Sequence, residues 1–169
     1  MEMNNAKQNI DARFIIGCGR IDRGDDAAGL LVVRRLRKRG VPACEHRGEF
    51  LTLIDSWRVA ESVVLIDAVV TGAAAGEVII WDASSAPLPI DCFKSSTHSL
   101  GIAQAIELAR LLGCLPSRLL IYGIEGKQFE IGAPPSSPVL QAIERVTQKI
   151  VEQLLTCRGV AGIDSHQKV

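Results

Sequence analysis

Apolar positions along the chain follow two periods: short runs that suit buried strands and 3.6-residue stripes that suit helices. Phe14, Ile15 and Ile16 form the first run, and Gly17 and Gly19 end it in a tight turn. A helix is expected next, with Asp25 as its N-cap, the basic cluster from Arg34 to Arg39 complementing its C-terminal dipole, and Gly40 with Pro42 stopping it. Residues 42–48 suit a second short strand, and Phe50, Leu51, Leu53, Ile54 and Trp57 suit a helical turn or two. Residues 62–70, SVVLIDAVV, are nearly all apolar and mostly β-branched, which predicts a central strand covered on both faces. After a small-residue turn over 72–76, residues 77–81 read as a strand close enough in sequence to be its antiparallel neighbour.

Residues 84–94, with Pro87 and Pro89, form a loop long enough to shape a cleft or contact a partner. Ser95, Ser96 and Thr97 are candidate caps for a helix whose apolar positions Ile102, Ile106, Ala109 and Leu112 run to Gly113. Residues 119–122 predict another strand, leading into a 123–132 loop that carries Glu125 and Glu130. Ser136, Ser137 and Pro138 open a last helix with the apolar face Val139, Ala142, Ile143, Val146, Ile150 and Leu154. Strands alternating with helices predict an α/β fold: a three-layer α/β/α sandwich around a mostly parallel five-stranded sheet with one strand antiparallel. The ligand cleft of such a fold lies at the strand ends. One domain over residues 1–169 is expected, with an ordered core over about 12–156 and polar, flexible termini.

Composition narrows the function. Nineteen basic and nineteen acidic residues cancel, so no global field gathers nucleic acid or an anionic membrane. Aromatic content of 4% leaves little material for base stacking. The first residues lack an apolar signal segment and no run of about 18 apolar residues occurs, so a cytoplasmic, non-membrane protein is expected. Five cysteines without a C-x-x-C pair argue against a disulfide framework or a structural zinc site. Cys18, in the glycine turn, is the one nearest candidate chemistry, and burial is its expected role.

That chemistry begins at Asp22, Asp25 and Asp26. The glycines fall at Gly17, Gly19 and Gly24, off the spacing of a dinucleotide fingerprint, and three carboxylates beside the helix start would repel a phosphate. A nucleotide-binding module is therefore disfavoured and a cation fits better, the helix dipole keeping first-turn carboxylates ionised. Asp67 interrupts the central strand and is expected near its carboxyl end, where it meets a cation or accepts hydrogen bonds. His98 sits in the first turn of the helix after the fourth strand, where the neutral, ligating imidazole is favoured. Asp26, Asp67 and His98 all fall at one edge of the predicted sheet and make a mixed oxygen and nitrogen set suited to a divalent transition metal.

With these residues in view, the chain resembles the maturation endopeptidases of nickel-iron hydrogenases. The likeness runs from about Arg13 to Leu154 through GCGRIDRGDDAAG, LIDAVVTGAAAGEV, STHSLGIAQAIELARLLGCLP and YGIEGKQFEIGAPPSSPV. The resemblance implies an enzyme that removes a C-terminal extension from a hydrogenase large-subunit precursor once nickel is in place. It implies that Asp26, Asp67 and His98 touch that nickel, the substrate's own ion, and leaves two routes to hydrolysis: the metal polarises the scissile carbonyl and activates water, or Asp26 and Asp67 act as the catalytic acid and base. A cytoplasmic monomer follows as the expected state. No G-x-S-x-G elbow or H-E-x-x-H motif offers serine or ordinary zinc protease chemistry. The chain departs from the family pattern at Arg20, where asparagine is usual, at Ala27, where glycine is common, and over His46, Arg47, Gly48 and Glu49, where many members read acidic-Gly-Gly-Thr. Those changes bear on the substrate and motivate the alternative of a noncatalytic nickel-sensing or chaperone module.

Overall fold

A computed structural model gives the structure of residues 14–47, 49–89 and 99–160. Its elements are β1 (Phe14–Cys18), a short 3-10 helix (Gly24–Ala27), α1 (Ala28–Lys38), β2 (Cys44–His46), α2 (Phe50–Trp57), β3 (Ser62–Val69), β4 (Val78–Asp82), α3 (Ser99–Leu111), β5 (Arg118–Glu125) and α4 (Ser137–Val160). The sheet order is β2-β1-β3-β5-β4. The first four of these strands run parallel, and β4 lies antiparallel at the edge against β5. The uniformly apolar stretch is thus the middle strand, buried at every position. One expected pairing is corrected: β4 does not pair with β3, because β5 lies between them.

Period-two alternation divides the core. Val64, Ile66 and Ala68 of β3, with Leu120, Tyr122 and Ile124 of β5, meet α1 and α4. Val63, Leu65 and Val69, with Leu119 and Ile121, meet α2 and α3 through Leu53, Trp57, Ile102 and Ile106. Two helical layers therefore enclose one sheet, as the alternation of elements predicts.

The last parallel strand is longer than its sequence suggests. Gly123 reads as the start of a loop, yet it is in β5, paired with Asp67 on one side and Ile79 on the other. A Cβ there would lie 2.5 Å from the Trp81 ring and 2.9 Å from a Val69 methyl, so neighbouring side chains occupy the space a larger residue would need. The strand continues to Glu125.

α1 reaches the sheet by the same device. A Cβ on Gly29 would stand 2.3 Å from the carbonyl oxygens of both Cys18 and Ile66, and one on Gly17 would stand 2.1 Å from the Gly29 carbonyl oxygen. The first turn of α1 therefore rests backbone against backbone on the ends of β1 and β3. Gly29→Ala is expected to cost about 3 kcal/mol, the upper range for overpacking. In a thermal melt this should lower the midpoint by roughly 6–12 °C, and a midpoint within 2 °C of the parent, a change of under about 1 kcal/mol, would contradict the close approach.

Candidate active site: a buried acid pair at the strand ends

Beyond β1, Gly19 turns the chain with φ of 131°, a value that favours glycine. Its backbone packs on the 3-10 helix, and the Arg20 amide donates to the Asp26 carbonyl at 3.3 Å. This short helix, not the first turn of α1, carries Asp25 and Asp26. Both side chains are fully buried.

Asp67 comes to the same place from the middle of the sheet. Gly17 pairs with Ile66, so Asp67 stands one residue beyond the last β1–β3 pair, level with Cys18. By alternation it faces the α2 and α3 layer with Leu65 and Val69. It is 0% exposed, and among the described residues neither of its oxygens has a hydrogen-bond partner. Burial holds its carboxyl well above the ordinary carboxylate range, and the nearby charge of Asp26 raises it further. The Cys18 thiol is pushed up by its own burial and then by Asp67 and Asp26. Three side chains, from β1, the 3-10 helix and β3, therefore feel one another in a dry space. Cys18 is kept as a neutral thiol, the reverse of an activated nucleophile.

The sequence places Asp26 and Asp67 at an open edge; the structure brings them together but buries both. His98, the third expected member, and the caps Ser95 to Thr97 lie outside the described residues. The helix that follows them is informative. Arg110, near its C-terminal end, donates to the Ala83 carbonyl, and the Ala83 amide bonds to Leu119 at the start of β5. α3 accordingly opens at the opposite edge, where β1 and β3 end, on the face that Asp67 takes. Among the described residues, no group of three His, Cys, Asp or Glu side chains is arranged to hold a metal. The acid pair supplies two oxygen donors and needs a further ligand from elsewhere.

Asp25 does something the sequence does not predict. It makes no cap bond. Its carboxylate accepts the Lys127 and Gln128 amides at 2.9 and 3.0 Å, and the amide and hydroxyl of Ser136 at 2.6 and 3.1 Å. The Asp25 amide donates to the Gln128 carbonyl at 2.7 Å, and Gly24 and Gly132 add bonds to Ala133 and Asp22. The loop over 126–136 is thereby clamped to the helix that carries Asp26. Glu125 acts likewise on the turn after β3, accepting the Thr71 and Gly72 amides and the Thr71 hydroxyl at 2.9–3.0 Å. Each of these acids is satisfied by partners more than 50 residues away, which local propensity cannot reveal.

A cleft of about 610 Å³ opens at the Gly19 turn, whose backbone packs on that of Asp26, and is walled by Gly19, Arg20, Asp22, Glu45, His46 and Arg47; neither acid of the pair lines it. Arg20 donates to both carboxylate oxygens of Asp22, at 3.2 and 3.0 Å, and this bond lowers the Asp22 carboxyl. Its charge is engaged at the rim. Burial lowers the His46 imidazole, with Thr52 and Glu49 pulling the other way.

A family model described as hydrogenase maturation protease matches residues 48–153, more than half of the 169-residue chain. The chain belongs to the hydrogenase maturation protease family. It is 26% identical over 153 residues to the hydrogenase expression/formation protein HoxM of Azotobacter vinelandii, covering 87% of this chain and 73% of that protein. It is 24% identical over 160 residues to the hydrogenase 2 maturation protease of Escherichia coli (strain K12), covering 90% and 93%. The solved structure of the hydrogenase maturating endopeptidase HybD from E. coli shares the fold, with a TM-score of 0.72 at 22% identity over 85% of this chain and 91% of that one. In this member of the hydrogenase maturation protease family, the matched span takes in Asp67 and the clamped loop, while Asp26 lies before it.

Two outcomes follow from the geometry. Because Asp67 titrates above its unfolded value, the native state retains a proton that the unfolded chain gives up; stability is full below the ordinary carboxylate pKa and falls as pH rises toward the native value. Asp67→Asn should flatten that slope and raise stability at pH 7 by on the order of 1–3 kcal/mol, read as a melting shift of roughly 3–10 °C. An unchanged slope would contradict the raised carboxyl. Asp25→Ala should cost about 3 kcal/mol by leaving loop amides without their acceptor, and hydrogen exchange should accelerate at Lys127, Gln128 and Ser136 first.

Proposed function

We propose that the chain is an endopeptidase that removes the C-terminal extension of a nickel-loaded hydrogenase large-subunit precursor, with Asp26, Asp67 and His98 touching the precursor's nickel. The observation that carries this reading is the acid pair: two carboxyl groups share a dry volume, and neither oxygen of Asp67 meets a hydrogen-bond donor among the described residues. A divalent cation satisfies what that arrangement leaves open. Its charge offsets the mutual repulsion and favours the ionised Asp67 that burial opposes. An imidazole from His98, just ahead of α3, completes a mixed oxygen and nitrogen set of the kind that suits nickel. The ion is the substrate's own, so the resting protein holds it only while the precursor is bound.

Asp26 and Asp67 then have a second role. With the precursor's nickel against them, they are the acidic groups nearest the peptide bond to be cut, and the adjacent cleft receives the chain around it. The enzyme acts as a cytoplasmic monomer on a protein substrate; no helix among the described residues is long and apolar enough to cross a membrane.

The test is the mass of a candidate precursor after incubation with the protein, with and without nickel. Loss of the C-terminal extension only in the nickel-loaded sample is the expected result. Asp26→Ala, Asp67→Ala and His98→Ala should each slow cleavage at least about 100-fold while the fold persists. Normal cleavage by all three variants would remove these residues from the site. A precursor that binds and is never shortened would favour a noncatalytic nickel-sensing module, the reading motivated by Arg20 and the His46 to Glu49 loop.

A further inference from the structure

The C-terminal half of α1 concentrates charge that the acid pair does not use. Arg34, Arg35, Arg37, Lys38 and Arg39 place five cations on six consecutive positions, around the buried Leu36. Among the described residues two carboxylates bond to them: Glu45 bridges Arg34 and Arg37, and Glu144 bridges Arg35 and Arg39. Lys38 is exposed and bonds to no carboxylate among the described residues. The negative end of the α1 dipole amounts to about half a unit charge, too little to balance the rest. A cleft of about 490 Å³ runs through this ridge, with Leu31 as its apolar floor and Arg34, Arg35, Arg37 and Lys38 as its walls. Arg34 also lines the cleft at the Gly19 turn, so the two grooves meet at one side chain.

We propose that this ridge is a docking site for an acidic peptide segment of the substrate, held outside the active site while the bond is cut. The proposal rests on the endopeptidase reading and adds a class of sequence that the enzyme selects. Charge complementarity identifies the occupant, and continuity through Arg34 identifies the molecule that brings it. Glu144 is half exposed, and the arginines it bridges are 34% and 39% exposed. Pairs of this kind contribute little to stability, so incoming carboxylates exchange with them at small cost. A peptide is favoured over nucleic acid because the chain as a whole is neutral and aromatic residues for stacking are few.

Fluorescence anisotropy on the full chain tests this with three probes: labelled hexaglutamate, labelled hexalysine and a labelled 20-base-pair DNA duplex. Hexaglutamate should bind at low salt, weaken as salt is added, and bind Arg35→Gln/Lys38→Gln and the single variant Lys38→Glu at least about fivefold more weakly. Hexalysine should not bind. Duplex DNA binding as tightly as hexaglutamate, or hexaglutamate binding equally to parent and variants, would overturn the proposal. In the precursor assay the same variants should raise KM rather than lower kcat. An unchanged KM would overturn the docking site and leave the protease reading intact, whereas a precursor never cleaved by the parent protein would overturn the protease reading and leave the peptide-binding result to be judged by itself.

Discussion

Asp26 and Asp67 place two carboxyl groups in a volume from which water is excluded, and the repulsion between them is the constraint that the surrounding structure has to contain. Burying an unpaired carboxylate costs several kcal/mol, and this burial, with the Asp26 charge beside it, pushes the Asp67 carboxyl well above its ordinary range. Cys18 adds no relief, since its thiol is held neutral by the same burial and the same two charges. The site is thus less stable than a core of ordinary residues would be. Such local cost is characteristic of positions kept for chemistry rather than for packing.

Holding the pair in place falls to the backbone. Gly17 and Gly29 let α1 lie directly on β1 and β3, which brings the 3-10 helix and Asp26 against the strand that carries Asp67. Asp25 and Glu125 then fix the two loops that border the site, each by a carboxylate saturated with amide and hydroxyl donors. Two neighbours in the 3-10 helix and one residue of β3 thus show how environment decides the part an acid plays: Asp25 is satisfied and structural, Asp26 and Asp67 are crowded and poised.

Much of this was legible in the chain itself. The order of elements, the three layers and the middle position of β3 follow from periodicity, because burial on both faces of a parallel strand leaves an unbroken apolar run. Asp67 stood out for the same reason, as a charge where none belongs. Asp25 has the look of a cap because capping is judged from neighbours in sequence, whereas its partners lie at Lys127, Gln128 and Ser136. The pairing of β4 is hidden because nearness in sequence favours a hairpin with β3, while β5 takes the place between them. Arg20, an odd choice beside a cation site, becomes intelligible only with Asp22 in its grip. Each miss is a tertiary contact overriding a local rule.

The most direct measurement is a pH titration of the Asp67 side-chain carboxyl carbon by NMR in the unliganded protein, repeated in Asp26→Asn. Coupling between the buried pair predicts that Asp67 stays protonated well above the ordinary carboxylate range and that its midpoint falls when Asp26 is neutralised. An Asp67 carboxyl that titrates in the ordinary range and ignores the change at Asp26 would contradict the shared, dry acid pair on which the functional reading stands.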